Sequence, residues 1–174
     1  MEAQLPSHLI PGFSLPEISL PATDGSYICL ATLSGRSIVA IYPWTGRPGH
    51  PNPPGWDDIP GAHGSTPELI GLQDHLRQIS KTGTRLYGLS GQATDYLREM
   101  ALRLGLQFPI LSDADGTFRS ALHLPVFAAG ADTYLKRLTF VVLAGRIEHV
   151  FYPVDDPAQH ATEIVNWLQD TASV

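Results

Sequence analysis

The sequence predicts an α/β fold: a central mixed sheet flanked by helices, with an N-terminal β-hairpin and a proline-rich insert before the first main helix. Three observations carry it. Residues 37–43, "SIVAIYP", form a continuous apolar run rich in β-branched residues and stopped by Pro43, the pattern of a central strand covered on both faces. From Ser65 onward Leu69, Leu72, Leu76 and Ile79 recur at spacings of three and four, which draws one apolar stripe on a helix running to about Lys81. Late in the chain, "KRLTFVVLAGRIEHVFYPV" reads as two strands joined at Ala144-Gly145.

The remaining elements fill in around these. In "FSLPEISLPATDGSYICLATLSG", short apolar alternations flank Asp24-Gly25, which predicts a hairpin. Residues 44–64 contain Pro48, Pro51, Pro53, Pro54 and Pro60 among several glycines, so this stretch is neither helix nor ladder strand. Its length is unusual for a connection, and such loops carry function or are disordered. A strand follows at "TRLYGLS", then a helix from about Gln92 to Leu104 with Gly105 placed to end it. The strand "FPIL", a short helix at Thr117 to Leu122 and a closing helix from Pro157 complete the order. Parallel crossovers combined with an antiparallel hairpin near the end predict helices on both faces of the sheet.

Composition narrows the function. The 174 residues, 43 % of them apolar, suit one globular domain, with residues 44–64 as an insert loop. A net charge of -6 leaves no electrostatic footprint for nucleic acid or an anionic membrane. The N-terminal "MEAQLPSHLIPGFSLP" lacks a basic start followed by an apolar core, and no run approaches the roughly 18 apolar residues of a membrane span, so a cytoplasmic location is expected. Cys29 is the only cysteine, which rules out an internal disulfide and a cysteine-based zinc site.

The segment "GAHGSTPEL" places Ser65 where a helix begins. Taken with "FSLPEISLPATDG" early, "IVAIYPWTG" on the central strand and "KRLTFVV" late, it resembles the peroxiredoxins, in particular the bacterioferritin-comigratory-protein-like branch, over nearly the whole chain. The resemblance implies a thioredoxin-like fold and reduction of hydrogen peroxide or alkyl hydroperoxides by a cysteine at the position of Ser65. It makes Arg137 the cation that steadies the thiolate, Thr45 the hydroxyl beside it and Pro43 the shield against water, with Glu68 in the same site. It implies a hydroperoxide substrate, an external thiol reductant (thioredoxin, glutaredoxin or a small thiol), no cofactor and no metal, and a homodimer as a frequent assembly.

The chemistry of such a site is plain. A thiolate at a helix N-terminus is stabilised by the dipole and by free N–H groups, so its pKa falls and it attacks the O–O bond. A serine hydroxyl stays protonated near neutrality unless a base takes its proton. Two readings follow: a thiol peroxidase whose cysteine was replaced by engineering with Ser65, or a naturally redox-inactive peroxiredoxin-like module that binds a ligand or partner. The survival of Pro43, Thr45, Glu68 and Arg137 around one isosteric change favours the first.

Two departures from the family pattern bear on this. Ala62 holds the spacing at which relatives carry the threonine, and Ile70 stands where many carry a second, resolving cysteine. A cysteine at position 65 would therefore need an external thiol for turnover. Other readings of the same residues are simpler. Ser65 and Glu68 could form a capping box. Arg137 could pair with Asp113 or Glu148, and Cys29 could be a small packed side chain. His50, His63, Asp57 and Asp58 match no metal-ligand spacing. A serine hydrolase using His63 lacks the nucleophile elbow, because Pro67 stands at its second glycine. The insert, with Trp44 and Trp56, is expected to fold over Ser65 and narrow access to it.

Overall fold

The computed structural model describes residues 4–172. Its centre is a five-stranded sheet in the order β5-β4-β3-β8-β9. Strand β3 (Arg36–Ile41) pairs in parallel with β4 (Thr84–Ser90) on one side and antiparallel with β8 (Leu138–Leu143) on the other. Strand β5 (Ile110–Ser112) continues the parallel half, and β9 (Arg146–Phe151) closes the antiparallel half. The mixed α/β fold is the one that the residue pattern predicts.

Period-two alternation divides the core. Ile38, Ala40 and Tyr42 of the β3 segment pack toward α1 (Ser65–Asp74), α2 (Leu76–Lys81), α3 (Thr94–Leu104) and α5 (His160–Ala172). Val39 and Ile41 face the opposite cluster, built from Phe118 and Leu122 of α4 (Thr117–Leu122) and from Leu15, Leu20 and Leu30 of the N-terminal segment. Both faces of β3 are therefore dry, which is why its sequence is continuously apolar. The expected N-terminal hairpin is present as β1 (Ser19–Pro21) and β2 (Tyr27–Cys29), paired antiparallel around Asp24-Gly25. The β8–β9 turn falls at Ala144-Gly145, both with positive φ, and a side chain at Gly145 would collide with the carbonyl of Ala31.

Four features differ from expectation. The helix expected from Ser65 to about Lys81 is two helices broken at His75, whose backbone leaves helical geometry and whose Nδ1 lies 2.8 Å from the Gly71 carbonyl oxygen. The His75 N–H still closes the last bond of α1 onto that carbonyl, at 3.1 Å, and the His75 carbonyl accepts the first bond of α2 from Ile79. Helix α3 starts at Thr94 rather than Gln92, because the Gln92 side chain turns back onto Thr45. Strand β5 begins at Ile110, two residues late, since Pro109 cannot donate to the ladder. The fourth is a second hairpin, β6 (Val126–Ala129) with β7 (Asp132–Leu135), in a stretch that carries no strand signal at the level of sequence. Its strands are short, and their outward positions carry alanine and threonine, so alternation is faint.

Candidate functional site

Tyr42 and Pro43 end the central strand, the insert leaves from Trp44, and Gly64 returns the chain to the start of α1. Gly64 is the N-cap of α1 at φ 112, and a Cβ there would lie 2.8 Å from Pro157 Cγ, so both the backbone and the space demand glycine. Ser65 is consequently the first residue inside the helix, not its cap. This overturns the capping-box reading: neither Ser65 nor Glu68 makes a capping hydrogen bond, and both side chains turn to Arg137 instead.

Arg137 immediately precedes β8 and is 6 % exposed. Its Nη2 donates to Ser65 Oγ at 3.2 Å, to the His63 carbonyl at 3.2 Å and to the Gly61 carbonyl at 3.4 Å. Its Nη1 donates to Glu68 Oε1 at 2.7 Å, in an ion pair with Glu68 wholly buried. Spacing of three residues puts Ser65 and Glu68 on one helical face, so a single guanidinium spans both. Asp113 and Glu148, the alternative partners, are engaged elsewhere. Asp113 accepts from the backbone N–H groups of Phe118 and Arg119, and Glu148 pairs with Arg36 at 2.7 Å.

Burial pushes the Glu68 carboxyl up to about 7, with the Arg137 charge offsetting only part of that cost. Glu68 Oε2 and Arg137 Nε have no hydrogen-bond partner among the described residues. Behind the pair lies His160, the first residue of α5, buried with Nε2 2.7 Å from the Thr139 hydroxyl. Burial first, and then the Arg137 charge, lowers its pKa to about 4, so it is neutral at pH 7. Its approach to Glu163 at 3.3 Å is thus not an ion pair at that pH, and among the described residues Nδ1 has no hydrogen-bond partner.

Thr45 is buried on the same side of the fold, but its contacts lead away from Ser65. Its N–H and hydroxyl both donate to Gln92 Oε1, at 3.0 and 3.1 Å. Its carbonyl accepts from Gln92 Nε2 at 3.0 Å and from the Tyr96 hydroxyl at 2.8 Å. Pro43 is buried beside it. Gln92 is the anchor that sequence reasoning missed: its helical placement hid it, and only the excess of polar residues in "SGQAT" before the apolar stripe hinted otherwise.

His63 does not serve Ser65 as a base. Its ring is exposed and pairs with Asp57 at 2.6 Å, while only its carbonyl reaches the site. Cys29 lies on the N-terminal hairpin, partly exposed. Among the described residues no group of three His, Cys, Asp or Glu side chains gathers as metal ligands, and no helix is long and apolar enough to cross a membrane.

The insert is ordered by an aromatic cluster. Trp56 is buried on Ala62 and Ala129, with ring centroids of Tyr134 at 5.0 Å, Trp44 at 5.4 Å and Phe127 at 5.5 Å. The unexpected β6–β7 hairpin is thus the surface on which the insert lies.

The AhpC/TSA family model matches residues 60–150, a span running from the end of the insert through Ser65 and Arg137 to β9. The chain belongs to the AhpC/TSA family. Among curated relatives it is 29 % identical over 164 residues to peroxiredoxin Bcp of Escherichia coli K12, covering 90 % of this chain and 94 % of that one. It is 24 % identical to the chloroplastic peroxiredoxin Q of Oryza sativa subsp. japonica, over 91 % of this chain and 66 % of the relative. Among solved structures, a cysteine-to-serine mutant of Xylella fastidiosa PrxQ superposes with a TM-score of 0.77 at 20 % identity, covering 95 % of this chain and 99 % of that one. Peroxidoxin BcpB of Mycobacterium tuberculosis gives 0.74 at 20 % identity, over 94 % and 98 %. This AhpC/TSA member therefore has the thioredoxin-like fold of the Bcp and PrxQ peroxiredoxins.

Proposed function

We propose that this chain carries a peroxiredoxin thiolate site in which Ser65 stands at the nucleophile position. With cysteine there, the protein reduces hydrogen peroxide or an alkyl hydroperoxide at the expense of an external thiol. With serine it retains the cradle and lacks the reaction.

One observation carries this reading: a buried arginine, paired to a buried glutamate, spends a donor on the Ser65 hydroxyl. A neutral hydroxyl gains little from a guanidinium, whereas a thiolate gains a charge-assisted hydrogen bond as well as the field at the start of α1. Taking an ion pair out of water is costly, and nothing about a serine requires it. The retained cradle supports a cysteine replaced at position 65 over a site that never held one. In the rival reading the chain is a redox-inactive module, and Ile70 in place of a resolving cysteine favours it. A thiol peroxidase that draws on an external thiol also accommodates Ile70.

In this reading each residue has a role. Attack of a position-65 thiolate on the distal peroxide oxygen forms the S–O bond and breaks the O–O bond, and the alkoxide leaves with a proton. Arg137 stabilises the thiolate and the charge that grows on the oxygens. Glu68 fixes the guanidinium, and Pro43 with the insert keeps water away.

Stopped-flow mixing with hydrogen peroxide tests the reading. The chain as it stands should show no fast phase. Ser65→Cys should consume one equivalent of peroxide rapidly without added thiol, with mass spectrometry finding one added oxygen. A Ser65→Cys protein that folds but reacts no faster than a free thiol would sink the proposal.

A further inference from the structure

Arg137 Nη2 carries two hydrogens and faces three acceptors: the Ser65 hydroxyl at 3.2 Å, the His63 carbonyl at 3.2 Å and the Gly61 carbonyl at 3.4 Å. Two of the three acceptors belong to the insert, and the Gly61 contact is the longest. Any oxygen that takes a hydrogen from this nitrogen therefore competes with insert backbone. Space is as scarce as donors. Ser65, Thr45, Ala62 and Pro43 are all buried, on the strand end, the helix start and the insert between them.

The insert is tied along its length. At its start Thr45 is clasped by Gln92, the Gly46 carbonyl accepts from Arg103 Nη2 at 3.2 Å, and Arg47 pairs with Glu99 at 3.2 Å while lying over the Tyr96 ring. In its middle Trp56 is buried on Ala62 and Ala129. At its end Gly64 is held by its positive φ and by Pro157. Gly61 can shift by the little that one long hydrogen bond allows. A wider opening moves Ala62, and with it Trp56.

We propose that the insert is a size filter over position 65, set by Trp56 as its positioning residue, which admits hydrogen peroxide and excludes branched and aromatic hydroperoxides. The inference rests on the peroxidase reading, with cysteine at position 65, and narrows its substrate. Hydrogen peroxide is scarcely larger than water, so it takes the N–H that the Gly61 carbonyl gives up and reaches the sulfur with the insert in place. The thiolate forms the S–O bond as the O–O bond breaks, and the departing hydroxide takes a proton and leaves as water. A cumyl group beside the same oxygens has to lie against the insert, and seating it pries Ala62 and Trp56 from their contacts. That penalty falls on the bulky substrate alone, which is what separates the two rates.

The test uses Ser65→Cys with Cys29→Ser, which silences the other thiol. Single turnovers with hydrogen peroxide and with cumene hydroperoxide give two rate constants, each divided by that of free cysteine thiolate with the same peroxide. Hydrogen peroxide should be favoured about tenfold or more, the low end of what a tight pocket achieves by shape. Trp56→Ala should shrink that preference by speeding cumene hydroperoxide, and Trp56→Phe should keep most of it. Phe127→Ala, on the hairpin side of the same cluster, should move the ratio in the same direction. A role for Trp56 in stability alone slows both peroxides together and leaves the ratio where it was. Equal normalised constants in the starting protein, or a ratio that neither Trp56→Ala nor Phe127→Ala moves, overturns the filter. Methyl and benzyl methanethiosulfonate read the same filter without peroxide chemistry: the methyl reagent should modify position 65 faster, and Trp56→Ala should narrow the gap. Peroxide left unconsumed while these reagents are still sorted by size sinks the peroxidase reading and not the filter. Rapid consumption of both peroxides, with the reagents unsorted, sinks the filter and not the peroxidase reading.

Discussion

Arg137 meets Glu68 and Ser65 through different nitrogens, Nη1 to Oε1 at 2.7 Å and Nη2 to Oγ at 3.2 Å, so one buried guanidinium links the carboxyl to the nucleophile position. The charge offered to position 65 then depends on Glu68. When Glu68 is protonated the guanidinium is unopposed, and when it ionises the pair is neutral.

For the Ser65→Cys protein, thiolate absorbance against pH should give a midpoint below about 7.5, compared with about 8.5 for a free thiol. Arg137→Leu in that background should return the midpoint to the free value or above. The variant also strands a buried carboxyl, at a cost of about 3–5 kcal/mol, so the measurement needs the partner change Glu68→Leu as well. With both charges gone, any depression that survives belongs to the helix start alone. A midpoint unmoved by Arg137→Leu would remove the arginine from the proposed role.

Glu68 and His160 give opposite pH signatures. Glu68 holds its proton up to about 7 in the fold against a usual 4.5, so the native state binds more protons in that window and stability falls as pH rises through it. His160 is held near 4 against a usual 6.5, so the native state binds fewer protons there and stability rises from about pH 4 to 6.5. Where the windows overlap the two trends cancel. Urea midpoints against pH should show Glu68→Gln rising between about pH 4 and 6.5, as His160 alone dictates once the opposing Glu68 trend is gone. His160→Asn should instead steepen the fall between about pH 4.5 and 7. If both variants track the parent's profile, neither group titrates away from its ordinary value in the fold.

The main strands and most helices were legible because their cause is local: continuous β-branched runs on β3 and β8, and a three-four stripe on α1 and α3. The helix break at His75 was not, since the apolar stripe runs on through Leu76 and Ile79 and nothing in that spacing marks the residue whose backbone leaves helical geometry. The β6–β7 hairpin was hidden because its stabilising partner is the insert, far away in sequence. At the site, the family resemblance brought Ser65, Glu68 and Arg137 together, and the geometry joins those three. It could not reveal that Thr45 is bound to Gln92, because that contact spans 47 positions and joins two polar residues without periodicity.

The Gln92 clasp has a measurable weight. Its side chain accepts twice from Thr45 and donates once to the Thr45 carbonyl. Gln92→Ala leaves the buried Thr45 groups short of partners at once, so a loss of about 2–4 kcal/mol is expected, each net bond being worth about 1 kcal/mol with a further penalty for unsatisfied groups. Gln92→Glu keeps the acceptor and loses the donor, and should recover part of that loss. Denaturant unfolding measures both. Equal losses in the two variants would mean that Thr45 takes its partner from solvent.

The insert offers the sharpest test of how the site is kept closed. Ser65 is 4 % exposed, and the Gly61 and His63 carbonyls that reach Arg137 are the last part of the insert before α1. What holds that part in place is Trp56, buried among Ala62, Ala129 and three aromatic rings. Truncating a buried tryptophan costs about 3–5 kcal/mol where it packs. Because this cluster is separate from the two that cover the central sheet, Trp56→Ala should loosen the insert while the sheet stays folded. Hydrogen exchange should then accelerate for amides of residues 56–64 and at the start of α1, with β3 and β4 unchanged. In the Ser65→Cys background, a neutral alkylating reagent should react faster once Trp56 is truncated, which is the outcome expected of an insert that limits access. Faster exchange without faster alkylation would show that the insert is only a surface covering, and that closure over position 65 is set by Pro43 and α1.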